Sequence, residues 1–251
     1  MIEGPTAGGH NAPPRGKLEL NDEGEPIYGE RDRVDLEKLR ALGVPFWLAG
    51  EYGSPGKVRE ALAAGAAGVQ VGTAFAFCAE SGLRSDYKQA LLKKSINGQA
   101  RVFTDPQASP TGFPFKIAQL EGTLSEPEAN LARPRICDLG FLREAFKTAD
   151  GTIDFRCPAE PVTVYVSKDG KQESTAGRKC LCNALLANIG HPQVRNGRHI
   201  ENGLVTSGDD LTGIAQFLPA NRSSYSAADV LARLLDVLPL EENLLAADCA
   251  N

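Results

Sequence analysis

Apolar residues along the first hundred positions come in short continuous runs, with amphipathic stretches between them. Residues 44–49 form one such run, Val44-Pro45-Phe46-Trp47-Leu48-Ala49, and Gly50 follows it. A short, wholly apolar run suits a strand of a parallel sheet, buried on both faces. Residues 68–75 predict the next strand, and residues 1–6 read as the end of an earlier one. Helical signals lie between them. Residues 34–42 place Leu36, Leu39 and Leu42 on one face. Gly43 follows, where glycine commonly stops a helix. Ser54 and Pro55 offer an N-cap and a first helical residue for a helix through Val58, Ala61 and Leu62 to Gly65. Residues 86–96 predict an amphipathic helix through Tyr87, Ala90 and Leu91, with Lys94 at its border.

The resulting order is strand, loop, helix, strand, helix, strand, helix. It predicts right-handed βαβ units and a parallel sheet. An open doubly wound sheet shows the same alternation, so the pattern by itself does not choose a barrel. Residues 7–32 are rich in Gly, Pro, Asn, Asp and Glu and predict one long loop. Loops beyond about 15 residues are usually functional or disordered. Past residue 100 the texture changes. Residues 101–160 read as irregular, broken by Pro106, Pro110, Pro114, Pro127, Pro134 and Pro158. Residues 161–167 predict a strand from Val162-Thr163-Val164-Tyr165-Val166, with Asp169-Gly170 as its turn. Residues 179–189 and 210–218 predict short helices. The last helix is expected over 226–238, capped by Ser226 and carrying Leu231, Leu234, Leu235 and Leu238.

A chain of 251 residues can form one large or two modest domains. Its net charge of -5 argues against nucleic acid as the main partner, since neutralising phosphates needs a basic face. No apolar run approaches the roughly 20 residues that cross a bilayer, so no membrane association is expected. No basic stretch followed by an apolar core opens the chain, which points to a cytoplasmic protein. Six cysteines are too sparse for a disulfide scaffold and read as buried, reduced thiols. Cys137, Cys157, Cys180 and Cys182 lack the paired Cys-x-x-Cys knuckles usual for zinc, so no metal is expected. The single methionine is Met1. With so little of a first strand before the loop, it reads as an internal residue of a longer protein or a misplaced start.

The strongest candidate chemistry lies in Ala7-Gly8-Gly9-His10-Asn11. Glycines allow a sharp turn and close approach to a ligand, and a histidine exchanges protons near neutral pH. Gly50 and the pair Gly72-Thr73 end the two later strands. Backbone N–H groups freed at glycine turns can cradle a phosphate, and a threonine hydroxyl adds a donor. Taken singly, these glycines simply terminate strands; taken with the His10 loop, they read as a phosphate site. His191 and His199 have no ligand companions at helical spacing and read as structural or exposed. The charged stretch 15–33 reads as a solvated loop, with a substrate lid as the alternative.

These residues resemble the nitronate monooxygenase family. Three motifs carry the resemblance, in order and at barrel spacing: Ala7-Gly8-Gly9-His10, Ala49-Gly50-Glu51 and Gln70-Val71-Gly72-Thr73. The resemblance covers residues 1 to about 120. It implies the C-terminal part of a TIM (β/α)8 barrel lacking its first strands, over 1–120, and a mixed, mainly helical C-terminal extension over 121–251. It further implies an FMN-dependent oxidoreductase that oxidises alkyl nitronates with O2. His10 is then the catalytic residue, acting as general base or polarising the substrate beside the flavin. Gly8, Gly9, Gly50, Glu51, Gln70, Val71, Gly72 and Thr73 would hold FMN, mainly its phosphate. The substrate would be a small molecule. Two positions depart from the family pattern: Thr6 stands where a glutamate is usual, and Glu51 replaces a second glycine. Flavin-dependent enoyl-thioester reductases share a similar Gly-Gly-His loop, so an acyl thioester reduced with NAD(P)H is the alternative substrate. If the first strands are missing, much of the flavin-ring pocket is missing too, and a non-catalytic fragment is the other reading.

Overall fold

Short parallel strands and the helices joining them appear where the apolar runs predict them. The computed structural model describes residues 1–197 and 199–235. It is a mixed α/β structure of helices and small sheets. The described residues divide into two units: 1–7, 33–100 and 208–235 form the first, and those within 8–32 and 101–207 the second. The change at 100–101 coincides with the change in sequence texture.

In chain order the first unit holds β1 (Ile2–Glu3), α1 (Leu36–Ala41), β2 (Trp47–Ala49), α2 (Pro55–Ala63), β3 (Gly68–Gln70), α3 (Thr73–Ala76) and α4 (Ser85–Ile96). The strands pair in parallel in the order β1-β2-β3, with Ile2 opposite Leu48 and Ala49 opposite Gln70. All three therefore point their C-terminal ends to one edge. Asp35 caps α1 by accepting the N–H groups of Glu37 and Lys38. Ser54 caps α2 by accepting the N–H of Lys57, and Pro55 opens it. Gly65 ends that helix region at φ 83, a conformation glycine adopts at little cost. Phe46, Leu48, Ala61 and Ala66 form the core between sheet and helices, with Leu36, Leu39 and Val69 against it.

Several expectations need correction here. The strand expected over 68–75 stops at Gln70. The backbone turns helical at Gly72, and Ala76 donates to the Gly72 carbonyl at 2.9 Å. Leu42, Val44 and Trp47 are exposed, so α1 buries only part of its predicted face and β2 is not covered on both sides. The 210–218 segment is helical as expected, but of the 3-10 type, Asp209–Phe217. The closing helix spans Ala227–Leu235 and starts at Ser226, whose hydroxyl accepts the Asp229 N–H at 3.1 Å. Its predicted continuation to Leu238 lies outside the described residues. Among the described residues no barrel forms: the three-stranded sheet is open.

The second unit is more regular than its prolines suggest. It contains β4 (Val102–Asp105) and β5 (Phe115–Ala118), paired antiparallel, then α5 (Pro127–Ala132). A hairpin of β6 (Glu144–Lys147) and β7 (Ile153–Arg156) follows, then α6 (Val162–Ser167) and α7 (Leu181–Asn188). The short pair β8 (Val194–Arg195) and β9 (His199–Ile200) completes it. Phe115, Ile117, Leu124, Leu181, Ala184 and Leu204 form its core.

The strand expected over 161–167 is the helix α6, and Asp169-Gly170 is its C-terminal turn rather than a hairpin. Tyr165 donates its N–H to the Pro161 carbonyl, and Asp169 adopts a left-handed φ of 60. β-branched residues favour strands because they pack on a pleated, half-buried surface. Here Val164 and Val166 are exposed and only Tyr165 is buried, so that advantage is absent.

Candidate functional site

His10 belongs to the second unit, and β5 fixes the loop around it. Lys116 donates its N–H to the Gly9 carbonyl at 2.9 Å, and Asn11 donates to the Pro114 carbonyl at 2.9 Å. Gly9 in turn donates its N–H to the Thr206 hydroxyl at 2.9 Å, which donates to the Lys116 carbonyl at 2.7 Å. Gly9 stands at φ 83, and nothing lies within 4 Å of where a Cβ would sit. The glycine is thus required by the turn, and its backbone polar groups are used within the unit. Gly8 is exposed.

The His10 ring packs edge-on against Phe115, with centroids 4.9 Å apart. Its Nε2 is 2.7 Å from the Ser109 hydroxyl. Ser109 is fully buried, 2.8 Å from the Thr111 hydroxyl, and accepts the Thr111 N–H at 3.2 Å. Arg178 holds the Ser109 carbonyl at 2.6 Å. The ring is therefore oriented through one nitrogen. Nδ1 has no hydrogen-bond partner among the described residues. Burial against Phe115 and Ser109 lowers the His10 pKa below its ordinary 6.5. Loss of water around a histidine disfavours the charged form, so the shift favours the neutral imidazole.

The strand-end residues belong to the first unit. Gly50 has φ 98, and a Cβ there would lie 2.8 Å from the Thr6 hydroxyl and 3.1 Å from the Ala7 nitrogen. Glu51 is exposed and itself left-handed, at φ 57. Gln70 and Gly72 are exposed and Val71 is half-buried. Gly72 has nothing within 4 Å of its Cβ position, so a side chain there would meet open space.

Thr73 is committed within the unit. Its hydroxyl accepts the Gly208 N–H at 3.1 Å and is hydrogen-bonded to the Asp210 carboxyl. Asp210 is crowded between glycines: a Cβ on Gly53 would lie 2.9 Å from its Oδ2, and one on Gly208 2.8 Å from its Oδ1. Burial raises the Asp210 pKa above the carboxylate range, with the Thr73 bond opposing the shift. Sequence reasoning missed Asp210, Ser109, Thr111 and Thr206. Each meets its partner only through tertiary folding, and no local motif marks it. The other histidines hold no site: His191 is exposed and His199 is half-buried in β9.

Residues 1–106 match the family model described as nitronate monooxygenase. Over these residues the chain is similar to that family, which supports a flavin-dependent oxidoreductase family in general. The match covers the His10 loop and all three parallel strands, and it stops short of Ser109 and Asp210. No curated protein matches the chain. Among the described residues no helix is long and apolar enough to cross a membrane.

Proposed function

We propose that the chain serves FMN-dependent oxidation of alkyl nitronates by O2, with His10 as the proton-accepting group. The observation that carries this reading is the family match, which spans both the His10 loop and the strand-end glycines. On the same reading the three parallel strands are part of a (β/α)8 barrel, and a small nitro compound is the substrate.

The sheet edge is compatible with the phosphate of FMN. Parallel register brings the ends of β2 and β3 to one side, and no side chain of Gly72 obstructs approach there. The donors would be backbone N–H groups around Gly50, Glu51 and 70–73. The Thr73 hydroxyl would contribute little, because Gly208 and Asp210 already engage it. FMN, when bound, accepts two electrons and passes them to O2.

The work of His10 is to move a proton. Nitroalkanes carry an acidic C–H, and Nδ1 of a neutral imidazole can take that proton to give the nitronate. Ser109 holds Nε2, so the ring keeps its direction while its charge changes. A protonated His10 then pairs with the anionic nitro group.

Oxygen uptake on adding a nitronate to the flavin-loaded protein tests this function. We expect uptake with the nitronate and no NAD(P)H consumption with an acyl thioester. The reverse pattern would replace this reading with the enoyl-thioester reductase one.

A further inference from the structure

The second unit gathers cysteines that the proposed reaction does not use. Arg143 immediately precedes β6 and Cys157 immediately follows β7, and Glu144 lies opposite Arg156 in that hairpin. Arg143 and Cys157 therefore stand together at its open end. Arg143 donates from Nη2 to the Cys137 carbonyl at 2.9 Å, and its guanidinium also bonds to the Cys137 sulfur. The Cys137 and Cys157 thiols lie close enough to shift each other's pKa. Cys137 is half-buried, whereas Cys157 is 3% exposed. The less buried of the two residues is thus the one with a guanidinium beside it.

We propose that Cys137 and Cys157 form a peroxide-reactive dithiol, with Cys137 as the attacking sulfur and Cys157 as the resolving one. The Cys137 sulfur attacks one oxygen of a hydroperoxide, and the O–O bond breaks. The leaving oxygen takes a proton and departs as an alcohol, or as water when the oxidant is hydrogen peroxide. Cys137 is left as a sulfenic acid. The Cys157 sulfur then attacks the Cys137 sulfur, the S–O bond breaks, and water leaves. Two thiols and one hydroperoxide give one disulfide, one alcohol and one water. The peroxide is reduced by two electrons and the thiol pair is oxidised by two. Arg143 is placed to stabilise negative charge on the departing oxygen.

The electrostatics support this division of roles. The Cys157 thiol, and then Arg143, bring the Cys137 pKa down to about 6 against the opposing effect of burial. The Cys137 thiol and burial push Cys157 up. The thiolate is the reactive form, so Cys137 is the group ready to attack at neutral pH. The neighbouring thiols are less suited. Burial pushes Cys180, at the start of α7, up to about 11. It also raises Cys182, although the N–H groups of Phe141 and Leu142 bond to its sulfur. Among the described residues no three His, Cys, Asp or Glu side chains are grouped as a metal ion requires.

The test is a titration of the reduced 251-residue chain with hydrogen peroxide. Thiols are counted after denaturation, and disulfides are located by peptide mapping. We expect one peroxide to consume one thiol pair, with the link between Cys137 and Cys157. Cys157→Ser should stop the reaction at a sulfenic acid on Cys137 that dimedone traps. Cys137→Ser should leave Cys157 unreacted. Circular dichroism of each variant verifies folding, and if either fails to fold, the peptide map of the unaltered chain decides. A Cys180–Cys182 link, thiols untouched by peroxide that oxidises free thiols, or stoichiometric zinc or iron bound by these cysteines would each overturn the proposal.

Discussion

Replacing His10 with alanine in the flavin-loaded protein is expected to lower turnover of a nitroalkane by about 10²–10⁴-fold, the usual contribution of a general acid–base group. The flavin content should hardly change, because His10 lies in a different unit from the strand-end glycines. A preformed nitronate has already lost its proton, so its turnover should fall much less. Steady-state oxygen uptake with both substrates measures the difference. Equal losses for the two would mean that His10 only orients the substrate. No loss for either would make it a bystander.

The largest effect on stability is expected at Glu201, far from any proposed chemistry. Its carboxylate is almost fully buried and accepts from both the Nε and Nη2 of Arg133, the latter at 2.9 Å. Arg195 donates from Nη1 to the same carboxylate at 2.9 Å and from Nη2 to Asp138 at 2.8 Å. Arg133 is buried as well, and its remaining donors reach the Pro134 and Ile136 carbonyls. Glu201→Ala would leave a buried guanidinium without its counter-charge. Breaking a buried pair from one side costs about 3–5 kcal/mol. Urea denaturation should show a loss of that order for Glu201→Ala and a smaller one for Glu201→Gln, which keeps the shape and part of the hydrogen bonding. A loss under about 1 kcal/mol, the scale of surface pairs, would show that water screens the network.

These two sites differ in how far the sequence announces them. The His10 loop is legible because its signal is local: consecutive glycines, then a histidine. The helix α2 is legible for the same reason, with Ser54, Pro55 and Gly65 marking both ends within the segment. Ser109 is 99 residues from His10, and Gly208 is 135 residues from Thr73. Their partnerships exist only after folding and leave no local trace. Glu201 and Arg133 are likewise 68 residues apart. The α6 segment fails for another reason. Its valines carry a strand signal, yet no partner strand covers them, and Pro161 starts a helical turn instead. The 68–75 run fails similarly, because Thr73 and Ala74 are buried from a helix rather than from a strand.

The measurement that bears most directly on the central claim is the pH dependence of kcat/KM for a nitroalkane. A base must be unprotonated to act, so the rate should fall as pH drops through the His10 pKa. Burial lowers that pKa, which places the limb below 6.5. kcat/KM reports the ionisation of the free enzyme, so the limb belongs to His10 itself. The account predicts a limb below pH 6.5 in the unaltered protein and its disappearance in His10→Ala. A limb that survives the substitution, or one lying above 6.5, would contradict the claim that a neutral His10 takes the substrate proton.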